Sequence, residues 1–169
     1  MKILKNLFAL IILVSFASCN SDDDNNQFLL TNANLSGTYE VTLLNTTEIQ
    51  TTDVNGVDFL TTTTTIGHTF QLEIVFFDNG NYIIDGLYVE DYRMDVDGDV
   101  QEEDTEIIDI DYVEGVYSTN DSSMELVLDG ETYEVTLFNE NEIRFTFEEM
   151  WVEEGDDFVY TEEIRLVRL

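Results

Sequence analysis

The 169 residues include 37 acidic and six basic ones, a formal net charge of −31, yet 43% are hydrophobic and 12% aromatic. Such a surface repels phosphate backbones, which excludes nucleic acid as a partner, and it repels anionic lipid headgroups for the same reason. The apolar share is that of a chain with a core rather than a disordered acidic tail, and a single cysteine leaves no disulfide within the domain.

In chain order, Lys2 and Lys5 give a basic start, residues 7–17 (LFALIILVSFA) form a short apolar block, and Ser18 and Cys19 follow. A basic region, an apolar region too short to span a bilayer and a small-residue end describe a secretory signal peptide. The ending Ala17-Ser18-Cys19 resembles the lipobox of bacterial lipoproteins, with Phe16 where that motif usually has Leu. The resemblance implies cleavage before Cys19 and acylation of its sulfur and of the new N-terminus. Several acyl chains on one residue give stable membrane anchoring. Ser21, Asp22, Asp23 and Asp24 resemble the export tag of surface lipoproteins of the Bacteroidota, which implies an outer-membrane, cell-surface location. The expected division is therefore a signal peptide over 1–18, a lipidated cysteine and acidic tether over 19–34, and one domain over 35–169 of about the usual single-domain size.

Beyond residue 35 the apolar residues alternate. GTYEVTLL aligns Tyr39, Val41 and Leu43; TFQLEIVFF aligns Phe70, Leu72, Ile74 and Phe76. ETYEVTLF aligns Tyr133, Val135 and Leu137, and EIRFTF aligns Ile143, Phe145 and Phe147. A period of two marks half-buried strands. DNGN at 78–81 and LDGE at 128–131 are hairpin signals of the type I′ kind; NENE at 139–142 and EEGDD at 153–157 are weaker ones. Gly86 inside YIIDGLYV marks a bulge or a sharp bend. Eight to ten strands at short spacing, with no proline and no helical period, predict an all-β sandwich or closed barrel of meandering hairpins. The run TTTTT at 61–65 reads as an edge strand or exposed ribbon.

LSGTYEV, FFDNGNYII, the long stretch GVYSTNDSSMELVLDGETYEVTLFNENEIRFTF and the closing EEIRLVRL resemble the bacterial lipocalin-like domain, over residues 35–169. The family commonly follows lipoprotein signals. It implies an antiparallel up-and-down β-barrel. This chain has Tyr39 where the family usually has Trp, and a longer acidic insertion around 90–111. The resemblance further implies an arginine of the last strand, Arg165 or Arg168, packed over the first-strand aromatic Tyr39 to close one barrel end; the alternative places both arginines on the surface as gatekeepers.

Among candidate sites, DVDGDVQEEDTE (95–106) puts Asp95, Asp97, Asp99 and Glu106 at positions 1, 3, 5 and 12 of a calcium loop. Val100 occupies position 6, where a glycine is needed, and no helices flank the stretch. It reads either as a looser Ca²⁺ loop between strands or as a solvated hairpin tip. His68 is the only histidine and has no cysteine to join it, so a zinc site is not expected. No serine sits in a nucleophile elbow, and no phosphate or dinucleotide loop is present. Trp151, with Met150, Phe158 and Tyr160, reads as a rim or a barrel-end plug. The functional expectation is a non-enzymatic binding module for a small apolar or amphiphilic ligand. The alternative is an interaction protein with a filled barrel, whose acidic loops contact a protein partner. Bulky residues on every strand favour a filled interior.

Overall fold

The computed structural model describes residues 28–169. The expected signal peptide, Cys19 and the export residues Ser21, Asp22, Asp23 and Asp24 lie outside the described residues. A short helix, α1 (Asn32–Leu35), precedes eight strands: β1 (Gly37–Asp53), β2 (Asp58–Phe76), β3 (Asn81–Val96), β4 (Asp99–Asn120), β5 (Glu125–Leu128), β6 (Glu131–Phe138), β7 (Glu142–Glu153) and β8 (Asp156–Arg168). Each pairs antiparallel with the next, and β8 returns to β1, so the sheet is an up-and-down ring.

Turn chemistry sets the hairpins. Asn55-Gly56, Asp97-Gly98, Asp129-Gly130 and Glu154-Gly155 each have both residues at positive φ, the type I′ geometry whose twist matches that of the flanking strands. The DNGN hairpin differs from expectation. Only Gly80 is left-handed there, and its N–H bonds to Phe77 O. This is a type I turn followed by a left-handed glycine, the three-residue hairpin loop. Gly86 sits at a register break between β3 and β4, at φ +127. A Cβ there would lie 2.0 Å from the Gln71 carbonyl oxygen, so only glycine allows β2 and β3 this close.

The lower half of the ring is a packed core. Tyr39, Phe76, Leu126, Ile143, Phe145 and Leu166 are fully buried within it. Their aromatic rings meet edge to face, with Phe76 against Tyr117 at 4.9 Å and Tyr133 against Phe145 at 5.3 Å, the arrangement favoured by ring quadrupoles. The tether expected over 19–34 ends earlier than residue 34. Leu30 is 1% exposed, its N–H bonds to Asp121, and Leu35 joins it under the barrel. Thr31 caps α1 by accepting from the Asn34 N–H. Two apolar side chains spaced to reach the base pull this segment into the domain.

The upper half is built differently. β5 is only four residues long, and β6 pairs with β7 no higher than Thr146. Above that hairpin, residues 99–115 of β4 and 147–153 of β7 pair on one side only among the described residues. The closed ring thus opens upward into a six-strand gutter, β7-β8-β1-β2-β3-β4. The threonine run lies in the middle of this gutter. β2 is flanked by β1 and β3, which corrects the expectation of an edge strand: Thr62 and Thr64 face out, and Thr61, Thr63 and Thr65 face in.

Candidate functional site

The base is closed by a contact between the two ends of the sheet. Arg168, at the end of β8, lies with its guanidinium carbon 4.7 Å from the centroid of the Tyr39 ring. Its Nη1 donates to the Ser36 carbonyl at 2.8 Å, and its Nη2 donates to the Asn34 carbonyl and to the Tyr39 hydroxyl. The Tyr39 hydroxyl in turn donates to the Leu35 carbonyl. Burial raises the Tyr39 pKa to about 12, against the pull of Arg168. Arg165, three residues earlier on β8 and so on the opposite face of the strand, is elsewhere: it grips Glu142 through Nε and Nη2, and Arg144 holds the same carboxylate from the other side. Arg165 foremost, together with Arg144, holds the Glu142 carboxyl below its usual range.

Strand alternation carries the inward face up from this base. Register shifts in β1 after Val41 and in β2 between His68 and Gln71 bring Thr46, Glu48, Gln50 and Thr61, Thr63, Thr65 inward. Facing them are three pairs, each a tyrosine and a glutamate two residues apart on one strand and so on one face: Tyr88 and Glu90 on β3, Glu131 and Tyr133 on β6, Tyr160 and Glu162 on β8. The Tyr133 hydroxyl lies 3.3 Å from both Glu131 Oε2 and Glu162 Oε2, and Tyr88 donates to Glu90 at 3.0 Å. Phe147 packs between Tyr133 and Tyr160, and Phe70 stacks on Tyr88. Burial raises the Glu162 carboxyl, with the Glu131 charge adding to it against the Tyr133 hydrogen bond. Burial likewise lifts Tyr88 and Tyr160 to about 12 and Tyr133 further still. Trp151 and Phe158 stack in parallel at 5.0 Å above them. This lining offers aromatic faces, hydroxyls and carboxylates, which suit a ligand with an apolar body and hydroxyl or ammonium groups.

The proposed calcium loop is not assembled. Asp95 is held by Arg93 at 3.0 Å. Asp97 sits at the type I′ turn, where its carboxylate accepts from the Leu60 N–H. Asp99 begins β4, while Glu106 pairs with Glu90, seven residues and about 23 Å further along the strand. Of the two readings, the stretch is the hairpin tip: Val96 pairs with Asp99 across the Asp97-Gly98 turn. Among the described residues no three His, Cys, Asp or Glu side chains come together as a metal site. His68 lies within β2, 3.3 Å from the Asp91 carboxylate and 2.8 Å from the Thr69 hydroxyl.

The three Tyr/Glu pairs were missed by sequence reasoning. The strings are YVE at 88–90, ETY at 131–133 and YTE at 160–162, but a further YVE at 112–114 carries an exposed tyrosine, so the string alone does not assign a face. The chain matches no family model, no curated protein and no solved structure.

Proposed function

We propose that this protein is a surface lipoprotein, anchored to the outer membrane through acylated Cys19 and exported under the direction of Ser21, Asp22, Asp23 and Asp24. Its lipocalin-like barrel is a non-enzymatic binding module. The ligand is a small amphiphile, seated in the open upper half. The observation that carries this reading is the division of the interior: side chains fill the lower half, while tyrosine, threonine and glutamate line the unwalled upper half. A wholly apolar ligand has no room below and meets polar groups above. The acidic lining favours a ligand bearing hydroxyls or a positive charge.

The test is native mass spectrometry of the protein produced with its own signal, released from the membrane by proteolysis and purified without chelator. A retained small-molecule mass, lost from a Tyr133→Phe, Glu162→Gln double variant, supports the reading. A bare polypeptide mass from both proteins overturns it. A Cys19→Ala variant tests the anchor separately: it is expected to take up no labelled fatty acid and to leave the membrane fraction, and unchanged labelling and membrane association overturn the anchor.

A further inference from the structure

The free side of β4 is unused by the ligand reading. Over residues 99–115 this strand pairs with β3 alone among the described residues, so alternate backbone N–H and C=O groups point away from the sheet. Thr105 shows which ones. Its N–H is bonded to the carboxylate of its own neighbour, Asp104, at 2.8 Å, and so lies outside the β3 ladder. By alternation Glu103, Ile107 and Asp109 present theirs on the same side. The ladder over residues 102–110 runs without a register break, bounded by the irregularity beside Asp95 and the bulge opposite Gly86. Ile107 is 71% exposed in the middle of it.

The charge of the strand selects what can pair there. Residues 99–115 hold eight acidic residues and no basic one. A second copy of this chain laid along the edge would set carboxylate against carboxylate at cross-strand distance, which is destabilising. Glu103 is already held by Arg93 at 3.1 Å, so a strand with lysine or arginine at alternate positions answers Asp109 on one face or Glu102 and Glu106 on the other, with an apolar residue over Ile107. We infer that residues 102–110 of β4 accept an extended basic segment of a partner protein as an added strand. Backbone pairing gives the affinity, and the carboxylates give the choice of partner.

The experiment titrates the full-length protein with a labelled nine-residue peptide of alternating lysine and threonine, beside a counterpart with glutamate for lysine, and follows amide hydrogen exchange. The lysine peptide is expected to bind, more weakly as salt rises, and to slow exchange at Glu103, Thr105, Ile107 and Asp109. The Thr105→Pro variant removes an edge donor without breaking a β3 bond. It is expected to lose about tenfold in affinity, the factor for one to two backbone hydrogen bonds. A Glu106→Lys, Asp109→Lys variant, altered only at exposed positions, decides the matter if the proline variant does not fold. Four results overturn the inference: no binding, equal binding of the glutamate peptide, binding without protection of those amides, or protection of the same amides by self-association of the protein alone.

Discussion

Arg168 and Tyr39 join the last strand to the first: the arginine lies over the ring, donates to its hydroxyl and also binds the carbonyls that lead into β1. A cation–π contact contributes about 0.5–2 kcal/mol and a charge-assisted hydrogen bond about 1.5–3, non-additively. Arg168→Ala is expected to lower unfolding stability by about 3 kcal/mol. Arg168→Lys keeps the charge but loses the fork and falls between the two. Urea unfolding of the three proteins checks the order. Equal midpoints would show that the contact carries no stability.

Glu162 gives an unusual slope to stability against pH. Its folded pKa is raised, so the folded state holds that proton more tightly than the unfolded chain does. Below the ordinary glutamate value the group has no effect. As pH rises from there through the folded value, it destabilises progressively. Glu162→Gln is expected to remove this loss, leaving the variant more stable than the parent at neutral pH and no different in acid. Glu142 acts in the opposite sense: its lowered folded pKa adds stability above the ordinary value and is lost as pH falls through the folded one.

The tyrosines give an alkaline counterpart. Tyr39, Tyr88, Tyr117 and Tyr160 are each raised by burial to about 12. Their contribution is full below pH 10, the ordinary tyrosine value, and is lost between about 10 and 12. Ultraviolet absorbance should show tyrosinate appearing late in the folded protein and near pH 10 in denaturant. Coincident titrations would contradict the burial of these hydroxyls.

Two substitutions test the packing of the base. Leu30→Ala empties a fully buried site in the segment ahead of β1 and is expected to cost about 2–5 kcal/mol. A loss below about 0.5 kcal/mol, the level of a surface change, would mean the segment is not docked. Gly115→Ala places a Cβ 2.4 Å from the Tyr82 ring, whose hydroxyl is fixed by Asp129 at 2.6 Å. The ring must move and that bond must break, so Gly115→Ala should be destabilised and partly rescued by Tyr82→Leu.

The ring of hairpins was legible because period-two alternation and Gly-containing turns are local signals. The strand Phe70 to Phe76 and the turn at Asp129-Gly130 required nothing from the rest of the chain. Strand length was not legible. Whether β5 runs four residues or twelve depends on what its neighbours offer, and so the unwalled upper half could not be read. The acidic stretch 95–106 left two readings open, a calcium loop or a solvated hairpin tip, and the hairpin is what forms: Asp97-Gly98 folds as a two-residue turn and sends Asp95 and Glu106 apart along two strands. Leu30 ends the short apolar run Phe28-Leu29-Leu30 inside a stretch otherwise rich in Asn and Asp, too short to read as an element, and its docking depends on Asp121, 91 positions away.

Seven of the eight strand pairings join neighbours in sequence, and the eighth joins β1 to β8. The hairpins can form as soon as their own residues are available, but the ring cannot close until β8 has been made, because closure pairs β8 with β1 and sets Arg168 over Tyr39. Closure is therefore the slow, long-range event expected of high contact order, and a chain cut before Arg168 would keep its hairpins yet never seal its base. Until that last contact forms, the edges of β1 and β8 remain open together, and the time spent in that state is the interval in which this protein is most exposed to mispairing.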